Sequence, residues 1–298
     1  MKQLVIISGK GGTGKTVITA SFASLAQNKV MADCDVDAAD LYILLEPKII
    51  ERHVFKGGKV AVINKKTCNN CGMCVAVCRF SAIKSSGSAS GADAISKDFV
   101  VDSLSCEGCG VCYYICPLNA IVMEEKISGE WFISETKYGP FVHAKLGVAE
   151  ENSGKLVSVV RQNAKIIAEK ENCDLIIIDG PPGIGCPVIS SITGTDIVLI
   201  VTEPTLSGLH DMKRVIELTQ HFRLKTFVVV NKYDLNIEMT LEIENYCKKN
   251  KIPLVGKVVY DPVVTEAIAN RKIVVEYSDG EVTRQIIDVW RNVYDELK

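Results

Sequence analysis

The chain has 298 residues, 47% of them apolar, and a formal net charge of −2. That is enough for one large α/β unit with an extra piece and a buried core, and without a basic field neither nucleic acid nor an anionic membrane is expected as a partner. No run of apolar residues is long enough for a membrane-spanning helix, and twelve cysteines, eight of them tightly spaced, point to metal rather than disulfides.

The opening MKQLVIISGKGG places glycine and lysine where a secretory signal would continue its apolar run, so a mature cytoplasmic start is expected. Residues 4–8 read as a buried strand, 16–27 as a helix and 30–34 as the next strand. A cysteine-rich segment then breaks the rhythm, with KSSGSASGAD (84–93) reading as a polar loop inside it. Residues 138–161 read as a loop followed by a helix. The runs LIIIDG (175–180), DIVLIVTEP (196–204), TFVVVNK (226–232) and PLVGKVVYD (253–261) read as strands, with helices at 208–221 and 239–250. Near the end, Ile286, Trp290, Val293 and Leu297 share one helical face; the balanced charges around them favour docking on the protein's own core over a membrane.

Strands without polar alternation, separated by helices, predict a mostly parallel, doubly wound α/β sheet covered on both faces. The expected organisation is a discontinuous P-loop domain, 1–60 and 126–298, with a small α+β ferredoxin-like domain inserted at 61–125.

Residues 9–16, GKGGTGKT, match G-x-x-x-x-G-K-[ST] with a strand before and a helix after. Gly9, Lys10, Gly11, Gly12, Thr13 and Gly14 would form the loop whose N–H groups converge on phosphate oxygens, at the N-terminus of the following helix. Lys15 is expected to bridge the β- and γ-phosphates and Thr16 to ligate Mg²⁺. Asp179 ends an apolar strand, where a carboxylate holds Mg²⁺ through water; a helix-capping role is the structural alternative. Gly183 would donate its N–H near the γ-phosphate.

Cys68, Cys71, Cys74 and Cys78 have the spacing C-x2-C-x2-C-x3-C, and Cys106, Cys109, Cys112 and Cys116 repeat it. This is the two-cluster bacterial ferredoxin pattern, in which the fourth cysteine of each run serves the other cluster. One [4Fe–4S] cluster should use Cys68, Cys71, Cys74 and Cys116, the other Cys106, Cys109, Cys112 and Cys78. Two zinc sites would instead show C-x2-C pairs set further apart. Pro117 follows the second run; Arg79 stands at the matching place in the first.

Lys10 directly after the first glycine resembles the deviant Walker A motif of the MinD/ParA/nitrogenase-iron-protein superfamily. The order KGGTGKT, DCDVDAADL, two cysteine blocks, VHAKLGVAEENSGK, DGPPGIGCPVI, TEPTLSGLHD and NKYDLN resembles MinD-superfamily P-loop ATPases carrying an inserted ferredoxin domain. The resemblance implies ATP and ADP as ligands and a nucleotide-dependent homodimer in which Lys10 reaches the partner's nucleotide, acting like an arginine finger. It implies a switch aspartate in DCDVDAADL: Asp35, with Asp33, Asp37 and Asp40 as alternatives, though Asp40 replaces what is commonly Asn. It also implies that Asn231 contacts the base, with Pro262 and Val263 as weaker candidates. NKYD resembles the guanine-reading NKxD pattern as well, which leaves the base open at this point.

The function expected is Mg²⁺-dependent ATP hydrolysis coupled to electron transfer through two clusters to a redox partner protein. Assembly or insertion of an iron–sulfur or mixed-metal cofactor into a partner is the first alternative; a positioning or partition ATPase with structural clusters is the second. Cys186, just past the presumed second switch, is a candidate metal-binding or sensing thiol at the dimer axis, while Cys34, Cys173 and Cys247 read as ordinary thiols. His143 reads as a packed histidine, since no second ligand is evident beside it; the alternative is that His143 and Lys145 face the clusters or a partner.

Overall fold

The computed structural model describes residues 1–85, 98–147 and 152–298. In chain order the elements are β1 (Lys2–Ser8), α1 (Lys15–Leu25), β2 (Lys29–Asp33), α2 (Leu41–Leu45), β3 (Lys48–Ile63), α3 (Met73–Val77), β4 (Ile83–Ser85), β5 (Phe99–Val101), α4 (Val111–Ile115), β6 (Ile121–Thr136), β7 (Gly139–Leu146) and α5 (Ser153–Lys170). There follow β8 (Leu175–Pro182), α6 (Cys186–Ile192), β9 (Ile197–Thr202), α7 (Leu206–His221), β10 (Lys225–Asn231), a 3-10 turn (Tyr233–Leu235), α8 (Ile237–Lys249), β11 (Leu254–Val258), α9 (Val263–Ala269), α10 (Val274–Tyr277) and α11 (Glu281–Asp295). The loop expected at 84–93 lies, from residue 86 on, outside the described residues, as do residues 148–151 of the loop expected before α5.

The strand order of the large sheet is β11-β10-β9-β1-β8-β2-β7-β6-β3. Every pairing from β11 through β7 is parallel. Such strands need cover on both faces, which is why β1, β8, β9 and β10 are runs of Val, Ile and Leu without alternation. The chain leaves β1 for β2 on one side and β9 pairs on the other, so the carboxyl end of β1 opens at a reversal of strand order, where ligands bind in such sheets.

The chain forms two compact units. The first comprises Met1–His53, Glu130–Lys145 and Ser153–Lys298; the second comprises Val54–Gly129 and Leu146–Asn152. The insert limits expected at 61–125 fall inside the second unit. In the first unit, Val282, Ile286, Val289, Trp290 and Val293 of α11 form one buried stripe, and the Trp290 ring packs 4.9 Å from that of Phe22 on α1. Leu297 is buried with them. Burial of that stripe contributes roughly 2 kcal/mol per large side chain, which holds the C-terminal helix on the protein's own core as its charge balance suggested.

The second unit has a small core of Ala61, Cys74, Ile83 and Ile121, with Phe99 and Met123 packed against it. Its β4 and β5 pair antiparallel, Ile83 opposite Val101.

Two expectations need correction. Residues 139–146 are strand β7, not loop: Phe141, Val142, His143 and Ala144 are all buried, and β7 pairs with β2. His143 breaks the apolar run by which the other buried strands of this sheet show themselves. Strand β3 was not anticipated, because its charged residues and largely exposed side chains mask any periodicity.

Candidate functional site

The loop between β1 and α1 carries Gly12 and Gly14 at φ +81° and +89°. At Gly14 a Cβ would stand 2.2 Å from Nδ2 of Asn231, so both conformation and space demand glycine there. Lys15 follows at the start of α1, almost wholly buried, with its ammonium 2.8 Å from Oδ1 of Asp179 and 3.4 Å from Oδ2 of Asp35. Burial alone would lower its pKa; the carboxylates of Asp179, Asp35 and Asp33 outweigh that and raise it. Thr16 Oγ1 donates to Oδ2 of Asp179 at 3.0 Å, and Thr19 Oγ1, one turn on, donates to Oδ1 at 2.9 Å.

Asp179 lies in register with Asp33 across the β2–β8 pair. Asp33 is fully buried; burial first, and then the neighbouring Asp179, push its pKa well above the ordinary carboxylate value. Its Oδ1 accepts from the N–H of Asp35. Burial likewise raises Asp35, against the pull of Lys15. Asp37 and Asp40 are exposed and are not brought into this cluster. Two buried polar atoms here have no hydrogen-bond partner, Thr13 Oγ1 and Asp33 Oδ2. Buried polar groups are normally satisfied, so each fits a polar ligand, Thr13 in the phosphate loop and Asp33 beside Asp179.

Lys10 is held within its own chain. Its ammonium pairs with Glu203 and donates to Thr205 Oγ1 at 3.2 Å and Ser207 Oγ at 3.0 Å. Lys232 reaches the same carboxylate at 3.5 Å and donates to the Gly12 carbonyl at 3.1 Å. Glu203, Thr205 and Ser207 were not assigned roles from sequence; only their place at the end of a strand, β9, hinted at them.

Gly183 departs from expectation. Its N–H donates to the Ser8 carbonyl at 2.8 Å, because β8 continues past Asp179 to pair Pro182 with Ser8 and the next N–H falls to β1. Asn231 donates from Nδ2 to the Thr13 carbonyl at 2.8 Å. It lines a cavity beside the loop together with Gly12, Val17, Tyr260, Asp261 and Val264. Pro262 and Val263 are not among the lining residues. Asp234, which a guanine-reading NKxD would aim at the base, instead accepts the Tyr260 N–H at 2.7 Å.

In the second unit the two cysteine runs fold alike. Gly72 and Gly110, at φ +78° and +75°, turn the chain into α3 and α4. Cys74 and Cys112 sit in the first turns, and Cys78 and Cys116 at the ends, of those helices. One cavity is lined by Cys68, Cys71, Cys74 and Cys116; another by Cys78, Cys106, Cys109 and Cys112. Among the described residues no group of three or more His, Cys, Asp or Glu converges as a site for a metal ion.

His143 and Lys145 belong to β7. The His143 ring stacks between Phe132 and Phe141, at 5.0 and 4.6 Å, and shares a 2.9 Å hydrogen bond with Ser134 Oγ. Burial pushes its pKa down to about 4. It is a packed histidine, and Lys145 beside it is exposed. Cys186 is exposed at the start of α6. Among the described residues no helix is long and apolar enough to cross a membrane.

Comparison with known proteins places these features. The CobQ/CobB/MinD/ParA nucleotide binding domain matches residues 4–274. The uncharacterized protein MJ0578 of Methanocaldococcus jannaschii is 36% identical, over 99% of this chain and 96% of its own length. Among solved structures, the MinD cell division protein of Aquifex aeolicus superposes with a TM-score of 0.57 at 19% identity, covering 99% of this chain and 98% of that one. The septum site-determining protein MinD of Pyrococcus horikoshii OT3, complexed with Mg-ADP, gives 0.59 at 17% identity, with 98% and 95% covered. At such identities the two structures establish the shared fold.

Proposed function

The chain belongs to the CobQ/CobB/MinD/ParA nucleotide-binding family of ATPases, and from that premise we propose that it couples its nucleotide state to electron transfer, through two [4Fe–4S] clusters in its second unit, to a partner protein. The observation that carries this reading is the division of the eight cysteines into two cavities of four, each holding three from one run and the fourth from the other. That crossed division is the ligand pattern of two-cluster ferredoxins. Four thiolates around a cubane each bind a different iron, so they surround a cavity instead of meeting at one point. Cys68, Cys71, Cys74 and Cys116 would hold one cluster and Cys78, Cys106, Cys109 and Cys112 the other. Bound there, the clusters supply one-electron transfer.

In the first unit the phosphate chain of ATP lies along the 9–14 loop, and Lys15 turns from Asp179 and Asp35 toward it. Thr16 and Asp179 would hold Mg²⁺, which would neutralise charge on the phosphates. Released from Lys15, Asp35 orients the attacking water. Asn231 lies against the base. Adenine is favoured over guanine by the family the chain belongs to; Oδ1 of Asp234 accepts the Tyr260 N–H. Lys10 exchanges Glu203, Thr205 and Ser207 for the nucleotide of a second copy, so the catalytic form is a homodimer.

A second reading, a positioning ATPase with structural clusters, is favoured by the solved neighbours, which are named for cell division and septum siting. One experiment separates the two. Protein purified without oxygen is assayed for iron and sulfide, then titrated for redox potential with and without a non-hydrolysable ATP analogue. Two cubanes whose potentials move with nucleotide support coupling. Cubanes indifferent to nucleotide favour the positioning reading, and a protein without cubanes sinks both assignments of the cysteines.

A further inference from the structure

We infer that the two cluster sites are electronically unequal, with Glu107 making the Cys78/Cys106/Cys109/Cys112 site the harder of the two to reduce. The inference rests on the cluster reading above. The cysteine runs superimpose by sequence, CNNC on CEGC, so each residue near one cavity has a counterpart near the other. Asn69 lines the first cavity and Glu107, its counterpart, lines the second. A neutral amide is therefore matched by a carboxylate. Reduction adds an electron, and a fixed negative charge beside the site opposes it.

Hydrogen bonds to sulfur run the same way. The Cys74 and Cys112 thiols feel matching backbone N–H groups, those of Val75 and Tyr113 and of the cysteines themselves, so the two sites are alike there. The first site has two more. The Asn70 N–H donates to Cys68 Sγ at 3.4 Å and the Ala120 N–H to Cys116 Sγ at 3.3 Å. Their counterparts by sequence are Gly108 and Ala82, and among the described residues neither donates to a cysteine sulfur. N–H donors stabilise the more negative, reduced state. Charge and hydrogen bonding thus agree in giving the first site the higher potential. Arg79 follows Cys78 and acts in the opposite sense; both it and Glu107 are exposed, so water and salt weaken both, but Glu107 lines the cavity and Arg79 does not.

A singly reduced molecule therefore keeps its electron at Cys68/Cys71/Cys74/Cys116. The test is a redox titration of the full chain, purified without oxygen and followed by electron paramagnetic resonance. Two reduced clusters repel each other and split the potentials even when the sites are alike, so the variants carry the decision. Glu107→Gln should move the more negative midpoint upward and leave the other in place. Asn69→Asp, which keeps the acceptor now used by the Cys71 N–H at 3.3 Å, should move the less negative midpoint downward and narrow the gap. A Glu107→Gln protein with both midpoints unmoved, or with only the less negative one shifted, overturns the inference while leaving the clusters intact. Protein with no cubane signal at all overturns the underlying reading and the inference with it.

Discussion

The ammonium of Lys10 pairs with the carboxylate of Glu203 in its own chain. A lysine proposed to serve a second copy is thus already partnered at home, and dimerisation must break that pair. The pair is partly exposed, so it contributes about 1 kcal/mol in each chain, and because a homodimer breaks two of them its loss should tighten the nucleotide-bound dimer roughly thirtyfold. Sedimentation of Glu203→Gln against the parent, each with a non-hydrolysable ATP analogue, measures this. Lys10→Ala should bind one nucleotide per chain as before while turnover falls about 10³-fold or more. Turnover unaffected in Lys10→Ala would remove the trans role.

Asp33 stands in register with Asp179, fully buried, with Oδ2 unpartnered. Its raised pKa fixes the sign of a pH effect. Above the ordinary carboxylate range the unfolded chain releases this proton more readily than the folded one, so folding stability declines as pH rises. Asp33→Asn removes that decline. It should stabilise the nucleotide-free protein at neutral pH by on the order of 1–3 kcal/mol, the cost of an unsatisfied buried group. Urea melts of both proteins from pH 5 to 8 would show it; curves that stay parallel over that range would refute it.

How far the sequence revealed this molecule depended on whether local chemistry or packing placed each residue. GKGGTGKT announced its own loop, since glycine at +81° and +89° followed by Lys and Thr is a local requirement. The buried strands β1, β8, β9 and β10 were legible because a sheet covered on both faces writes itself as uninterrupted Val, Ile and Leu. Strand β7 was hidden because His143 interrupts it, and only the stacking of Phe132 and Phe141 explains a histidine there. The partners of Lys10 were hidden for another reason: Glu203, Thr205 and Ser207 lie almost two hundred residues away, and parallel crossover alone brings β9 beside β1. Gly183 shows the converse, a residue correctly placed near the loop whose N–H is already used by Ser8.

The crossed cysteine pattern predicts which substitutions resemble each other. Cys116 and Cys71 line one cavity although they are far apart in sequence, and Cys116 and Cys112 line different ones although they are neighbours. Cys116→Ser should therefore perturb the same cluster as Cys71→Ser, and Cys78→Ser the same cluster as Cys109→Ser. Electron paramagnetic resonance of the reduced single variants, with iron counted per chain, distinguishes this from clusters confined to one run each. Spectra that group by run instead of by cavity would refute the crossed assignment.

His143 is packed as a neutral ring. Two aromatic faces and the Ser134 hydroxyl surround it, and its pKa falls from 6.5 to about 4 on burial. Between those values the unfolded chain binds a proton that the folded chain refuses, so stability falls as pH drops from neutral through this window. The whole effect amounts to about 3 kcal/mol. His143→Gln keeps a hydrogen bond to Ser134 and cannot titrate, so its stability should be flatter from pH 6.5 to 4, even where its absolute stability is lower from lost stacking. Denaturant midpoints for both proteins across that range decide the matter: equal slopes would mean that the ring is protonated where it sits.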